Sequence, residues 1–498
     1  MKQFLFIGWS LFSLFFVCGA DAQKLSRPKN GSLFTARQLQ EDYGILVNTL
    51  REAYPSTHRY NTKAELDKFF AASRKKLQSP MTERQFYPIV AFTAAKMKDE
   101  HIIPTPSVTY YNEVYKKNTR FLPFSCKLIN RRMYVLKSAV AVLKAGDEII
   151  TIDGIKTQNI IQKLIGYIHR DGYISTFLYR HLEDYSPTQN ENLFDLDYSF
   201  FYDLKQKITF KIRKPDGSII KSISRSLNYK EYSEFYWKRN THEQPLTFKF
   251  LNKDIAYLNI SSFHAEYRES FKQDFDKLFE KIFNRLDSSK TQNLVLDLRR
   301  CEGGDNSYLL LLSYLMNKPF RVFDYVEVAY HGLPITARYF ENTENAFFID
   351  SLLYRTASGK YRLKPQYEST IAGYTNINPK SNNFKGNLYV LTSGATGSAA
   401  AILSAITRNS RRGIFIGEET GGAMEGPTSL NIPILVLPNS KIRVEIPLIR
   451  LQLAVKYKKG RGVIPEYTVE TSVNDLINST DPQLSFTLKL IEQKDKAF

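Results

Sequence analysis

The chain has only 3 cysteines in 498 residues, and one of them, Cys18, falls inside a stretch that reads as a removable leader. The two that remain, Cys126 and Cys301, cannot supply a disulfide framework, so the fold must rest on a packed core. A long basic arm is also missing. The formal net charge is +19, yet the basic residues come in short clusters such as Arg74 to Lys76 and Arg411-Arg412, which argues against a nucleic-acid binder. The most apolar stretch, Phe4 to Val17, is short for a bilayer and is broken by Gly8 and Ser10. Metal and nucleotide signatures are lacking as well. His242-Glu243 opens like a zinc-peptidase helix, but no second histidine stands one turn on and Pro245 would disrupt such a helix. Gly359-Lys360 has no upstream glycine of a phosphate loop. No cofactor and no metal is therefore expected, and no repeat of fixed period is visible.

What is present is ordinary globular material, 43% hydrophobic and 24% charged, at a length that holds more than one domain. Residues 1–22 read as an export signal: Lys2, then the apolar run, then Ala20-Asp21-Ala22 before Gln23. The mature chain is expected in the periplasm or outside the cell, and Val17 is a poor neighbour for lipid attachment at Cys18. Residues 23–103 are helical. Thr35 with Gln38 forms a candidate capping box ahead of Leu39, Tyr43, Leu46, Val47 and Leu50 on one face. Thr82 with Gln85 starts a second helix, which delivers Lys98-Asp99-Glu100-His101 at its end. Residues 104–230 turn strand-rich around Leu143 to Gly154.

From 250 to 498, strands alternate with helices. Ile255 to Ile260 and Leu294 to Leu298 read as strands, and Phe271, Phe275, Leu278, Phe279, Ile282 and Leu286 as one face of a long helix between them. A Gly303-Gly304 turn and an apolar helix through Leu315 follow. Leu388 to Leu391 leads through Ser393 to Ser398 into a helix over Ala399 to Ile406, and Ile414 to Ile416 comes next. Such alternation predicts an α/β layer.

Three segments of this chain could carry chemistry. Ser398 stands at a helix start, where the first N–H groups have no intrahelical partner and can donate to an oxyanion; serine is equally a favoured helix cap. The glycines of Asp297-Leu298-Arg299-Arg300-Cys301-Glu302-Gly303-Gly304 allow close backbone approach, in a tight turn or to a ligand. His101 follows two carboxylates that raise its basicity in principle.

Together these segments resemble the carboxyl-terminal processing peptidase family of serine peptidases, which includes tail-specific proteases and the tricorn core. His101 in Lys98-Asp99-Glu100-His101 is similar to that family's Asp-x-His segment, residues 143 to 154 to the second half of a PDZ domain, and Asp297 to Gly304 to the Asp-Leu-Arg block. Thr392 to Ala401 resembles the nucleophile segment, Ile416 to Gly422 the strand and turn after it, and Gly460 to Glu466 the late Gly-Val signature. The resemblance implies a crotonase-like (ClpP-like) α/β catalytic core over 250–498, an N-terminal helical region over 23–103, and a PDZ-like module over 104–230 that receives a peptide substrate's tail. It further implies Ser398 as nucleophile, His101 as base, and an oxyanion hole from the N–H of Ala399 with that of Gly303 or Gly304.

The chain departs from the family pattern in four places. The lysine base of one branch is replaced by Ala423. Tyr457-Lys458-Lys459-Gly460 stands where the other branch has its supporting glutamate, Cys301 where asparagine is usual, and Ala401 where glutamate is usual. The group that orients His101 is left open among Asp99, Glu100, Glu418 and a neutral group, and a catalytically silent peptide-binding scaffold is the alternative reading of the whole.

Overall fold

The computed structural model describes residues 33–183, 193–240, 244–329, 334–341, 350–430 and 432–495. The leader expected over 1–22, Cys18 with it, and His242-Glu243 lie outside these. Among the described residues no helix is long and apolar enough to cross a membrane. The chain divides into two compact units, one from residues 1–118, 325–367 and 428–451, the other from 119–324, 368–427 and 452–498.

In the first unit, helices α1 (Ala36–Glu52), α2 (Lys63–Lys75) and α3 (Glu83–Met97) start on capping boxes. The Gln38 side chain accepts the Thr35 N–H at 2.9 Å, and Gln85 accepts that of Thr82 at 2.9 Å, which satisfies donors a helix start otherwise leaves open. The face expected on α1, from Leu39 to Leu50, is buried. Helix α3 ends abruptly because Lys98 adopts a left-handed conformation, φ 56°, and this reversal throws Asp99-Glu100-His101 off the helix axis. A four-stranded antiparallel sheet, in the order Pro104–Thr105, Arg443–Glu445, Ile434–Val436, Phe340–Glu341, takes up the chain just beyond His101. A five-stranded sheet is built from Leu353–Arg355, Tyr361–Leu363, Phe323–Val328, Ile449–Leu453 and Thr428–Ser429. Buried Asp42 of α1 fastens the Asn439-Ser440 turn, accepting both backbone N–H groups at 2.9 and 2.7 Å and the Ser440 hydroxyl at 2.6 Å.

The second unit contains a β-rich module and an α/β layer. The module's sheet runs β1 (Phe124–Ile129), β2 (Arg132–Ser138), β3 (Glu148–Ile152), β4 (Lys207–Arg213), β5 (Ile219–Arg225), each pair antiparallel. Its core gathers Ile149, Ile152, Ile208 and Phe210 with Ile160 and Leu164 of helix α4 (Thr157–Leu164) and Leu178 and Leu182 of helix α5 (Thr176–Glu183). Helix α6 (Leu193–Phe201) contributes Phe194 and Tyr198.

The layer's sheet runs β6 (Leu246–Phe250), β7 (Ile255–Ile260), β8 (Asn293–Asp297), β9 (Asn387–Thr392), β10 (Gly413–Gly417), β11 (Tyr467–Thr468) in neighbour order, parallel throughout except for β6. All five residues of β8 are buried, as a central parallel strand covered on both faces requires. Helices α7 (Phe275–Ser288), α8 (Ser307–Leu315), α9 (Ser398–Asn409) and α10 (Pro482–Asp495) belong to this layer. The long helix expected from Phe271 is in fact two pieces, because Asp274 intervenes as the cap of α7 and accepts the Lys277 N–H at 3.2 Å.

The crotonase-like (ClpP-like) core expected over 250–498 requires correction, while the α/β class stands. Only β6 to β11 form the mainly parallel sheet; the intervening strands at 340–363 and 428–453 build the two other sheets instead. The physical reason is length and pairing. These strands run two to five residues, and their hydrogen-bond partners lie among themselves, at Phe323–Val328 and at Pro104–Thr105, not along the edge of the parallel sheet.

Glu445, at the end of the strand Arg443–Glu445, where its N–H donates to Ile103 O at 3.0 Å, is a buried acid at 8% exposure. Its Oε2 finds no hydrogen bond among the described residues. Burial pushes its carboxyl up to about 8, against the pull of Arg443. The folded state therefore retains a proton between the ordinary glutamate value and about pH 8 that the unfolded chain releases, so this group lowers stability as pH rises through that window. Glu445→Gln is expected to raise the melting temperature at pH 8.5 and to leave it nearly unchanged at pH 4, a comparison that thermal unfolding at the two pH values measures.

Candidate active site

Strand β8 delivers its chain end at the sheet's carboxyl edge, where Leu298 donates its N–H to Leu391 O at 3.0 Å. Arg299 then holds the exit. Its guanidinium bonds Asp297 through Nε at 3.0 Å and reaches Asp481, just ahead of α10, through Nη1 and Nη2 at 2.7 Å each. Tyr257 of β7 donates to the same Asp297 at 2.6 Å. Beyond Arg299 the chain enters the Gly303-Gly304 turn, with φ of 115° and 133°, a backbone region open to glycine.

Strand β9 ends beside it in a turn whose side chains bond the β8 exit. The Ser393 hydroxyl donates to Arg299 O at 2.5 Å, that of Thr396 to Leu298 O at 2.8 Å, and the Gly397 N–H to Cys301 O at 3.0 Å. Ser393 and Thr396 also bond each other's backbone: the Ser393 N–H donates to Thr396 Oγ1 and the Thr396 N–H to Ser393 O, both at 3.0 Å. The turn is thus fixed at both ends before α9 starts.

Ser398 does not cap that helix. The cap position belongs to Gly397, and no side chain makes a capping hydrogen bond. Ser398 instead occupies the first helical position with φ at 41°, a strained conformation for a residue with a Cβ, of the kind held where the surroundings over-determine it. Gly303 stands directly against it: a Cβ on Gly303 would lie 2.7 Å from the Ser398 Cβ and 2.8 Å from the Ala399 N. As the second residue of the helix, Ala399 has an N–H with no intrahelical acceptor. Cys301 is fully buried, and burial pushes its thiol up to about 12 while the Gly303 N–H pulls the other way; a thiol so placed is not a nucleophile at neutral pH.

His101 lies in the first unit, on the segment after the Lys98 reversal. The anchor of that segment is Asp99, fully buried, whose carboxylate accepts the His101 N–H at 2.9 Å, the Tyr54 hydroxyl at 2.6 Å and the Thr428 hydroxyl. The imidazole Nδ1 stands 3.9 Å from Asp99 Oδ1 and 3.8 Å from Glu100 Oε1. Burial draws the imidazole's proton affinity below the ordinary histidine value, with Asp99 opposing. Glu418, the remaining candidate acid, is in the second unit, 3.2 Å from the Arg180 Nε and 3.4 Å from the Gly394 N–H. The structure therefore brings Ser398, Ala399, Gly303 and Gly304 together in one unit, and His101 with Asp99 and Glu100 in the other. Sequence reasoning did not find Tyr54 or Thr428, which lie 45 and 329 residues from Asp99 and carry no local signal of that partnership. Among the described residues no group of three or more histidine, cysteine or carboxylate side chains is arranged to hold a metal ion.

Against known proteins, the model of peptidase family S41 matches residues 254–469. No curated protein matches the sequence. Solved structures of similar fold include mature CPAF, at 15% identity over 89% of this chain and 94% of that one with a TM-score of 0.59. Mature CPAF complexed with lactacystin matches at 14% identity over 91% and 98% with a TM-score of 0.61. The fold is thus of the CPAF type rather than crotonase-like, the finding that overturns the expectation for 250–498.

Because the Gly303 Cα approaches Ser398 so closely at a positive φ, Gly303→Ala is expected to abolish labelling of Ser398 by a fluorophosphonate. Far-ultraviolet circular dichroism should remain that of the parent. Labelling at the parental rate would show that the approach of the two residues is not needed.

Proposed function

Because residues 254–469 make the chain a member of peptidase family S41 and a serine-type peptidase, we propose that Ser398 is its nucleophile and His101 the base. The observation that carries the reading is the conformation of Ser398: a strained helix-start serine with no capping role, against a glycine whose place no residue with a Cβ could take. The Ser398 Oγ attacks the carbonyl carbon of a peptide bond while His101 takes its proton. His101 then returns that proton to the departing amine, and water hydrolyses the acyl-enzyme. The Ala399 N–H and one from the Gly303-Gly304 turn receive the oxyanion, where fixed donors are worth most because they need no reorganisation. Asp99, which bonds the His101 main chain, and Glu100 are both within 4 Å of the imidazole Nδ1, and of the carboxylates considered we assign the orienting role to this pair rather than to Glu418.

The substrate is a peptide or protein. A finer reading has a PDZ-like module over 104–230 hold the substrate's carboxyl terminus by strand addition; it rests on the likeness of residues 143 to 154. Leu128 of β1 weighs against it, since its N–H donates to Glu183 at 2.6 Å and its carbonyl accepts from Arg180 at 3.4 Å. We therefore take an extended peptide, without a terminal requirement, as the substrate class. The leader pattern over 1–22 supports an exported enzyme, periplasmic or extracellular.

Labelling by a fluorophosphonate, with Ser398→Ala as control, tests the nucleophile. Ser398→Ala is expected to remove both labelling and peptide hydrolysis, with thermal unfolding close to the parent because one oxygen is lost without a core cavity. Undiminished turnover in the variant would refute the assignment; a parent chain that neither labels nor cleaves any peptide would favour the silent scaffold.

His101 must be neutral to accept a proton, and burial lowers its proton affinity. The acid limb of the kcat/KM profile is accordingly expected below the ordinary histidine range, with activity level above it. A limb at or above that range would contradict His101 as the base.

A further inference from the structure

We propose that Arg180, on helix α5 of the β-rich module, is a positioning residue for the turn that presents Ser398; this rests on the nucleophile reading above. Three observations converge on it. Arg180 is largely buried, with a side-chain exposure of 15%, and its Nε stands 3.2 Å from the Glu418 Oε2. Glu418 in turn is bound to the end of β9 from both directions: its N–H donates to Thr392 O at 2.9 Å, and the Thr392 hydroxyl donates to Glu418 O at 2.8 Å. The same Oε2 that faces Arg180 accepts the Gly394 N–H at 3.4 Å. Gly394 lies in the turn between β9 and Ser398, so the guanidinium fixes the carboxylate that holds this turn.

The surrounding contacts show that the attachment is built rather than incidental. A Cβ on Gly394 would lie 2.3 Å from the Thr176 carbonyl carbon and oxygen, and one on Gly421 would lie 2.2 Å from Gly394 O. The Thr176 hydroxyl donates to Glu419 O at 2.9 Å, and Asp171 accepts the Ala423 N–H at 2.9 Å. The start of α5 therefore lies in backbone contact with both turns that follow β9 and β10.

The other end of the same arginine closes the edge of the module's sheet. Arg180 pairs with Glu183, and Glu183 also takes the Lys127 ammonium at 2.6 Å and the Leu128 N–H at 2.6 Å. One arginine and one lysine are thus matched by two glutamates in a largely buried cluster. Removing Arg180 alone leaves Glu183 and Glu418 with one cation between them, and the mismatch falls on the group next to Gly394. A strained φ at Ser398 persists only while its neighbours over-determine it, so a loosened Gly394 turn lets the serine leave its productive conformation. Arg180 does not touch the reacting atoms; it acts through Glu418.

Two readouts on the full chain test this. The first is the rate of fluorophosphonate labelling at Ser398 together with kcat and KM for a peptide substrate. The second is amide hydrogen exchange over residues 393–397. For Arg180→Gln and Glu418→Gln, labelling and kcat are expected to fall about tenfold or more, with KM nearly unchanged, as for a small misplacement of a reacting group. Exchange over 393–397 should quicken in both, and the double variant should be no worse than the worse single one, because the two residues form one connection. Arg180→Lys keeps a cation at the site and should recover part of the loss. Should Arg180→Gln fail to fold, Glu418→Gln, which removes one charge from a partly exposed carboxylate, carries the test alone. Parental labelling and exchange in Glu418→Gln and in Arg180→Gln would overturn the proposal while leaving Ser398 as nucleophile. If the parent chain itself does not label, the nucleophile reading falls, and exchange at 393–397 still decides whether Arg180 holds the turn: quickening supports it and parental exchange overturns it.

Discussion

The constraint on which the serine site depends is the approach of Gly303 to Ser398. Two strand exits must meet without a side chain between them, and one of the two residues must accept a strained backbone. Much of the second unit follows from that demand. All of β8 is buried, Arg299 ties its exit to Asp297 and Asp481, and Ser393 and Thr396 spend their hydroxyls on the carbonyls of Arg299 and Leu298. Each contact is modest by itself, a net hydrogen bond being worth about 1 kcal/mol. Their number is what holds a serine at a positive φ that a free chain would abandon.

The elements around this meeting were legible where a local rule governs them. Thr35 with Gln38 and Thr82 with Gln85 announced two helix starts, since a capping box is complete within four residues. The run from Leu294 to Leu298 announced a buried strand because a parallel strand covered on both faces has no polar side to show. The helix anticipated from Phe271 was too long because apolar spacing continued through a break that only Asp274, a cap residue, marked. The short strands at 340–363 and 428–453 were illegible for a different reason: two- to five-residue strands carry too little periodicity, and their partners are decided by tertiary pairing.

The site was readable in the same uneven way. Ser398, the two glycines and His101 stand in compact segments whose wording resembles a family, and the structure gathers the first three residues in one unit. The resemblance also brought a crotonase-like label, which short motifs cannot decide because they report on a turn and not on the path of the chain between turns. What holds His101 could be read only as a choice among Asp99, Glu100, Glu418 and a neutral group. Asp99 was visible beside it, but its hydroxyl partners Tyr54 and Thr428 come from distant parts of the chain, and a single hydroxyl leaves no pattern.

The distance in sequence between Asp99 and Thr428 has a consequence for how the protein comes into being. The first unit is assembled from three separate stretches, the last beginning at Thr428, so the carboxylate that anchors the histidine segment waits for a hydroxyl made 329 residues later. Local contacts form early and long-range ones late, after their loop-closure entropy has been met. The helices α1 to α3 can therefore fold early, while Asp99, already within reach of Tyr54, lacks its Thr428 partner until more than four-fifths of the chain has been made. Ser398 precedes Thr428 by only a short stretch of chain, so the serine turn and the last contact of the histidine segment are both completed late in synthesis.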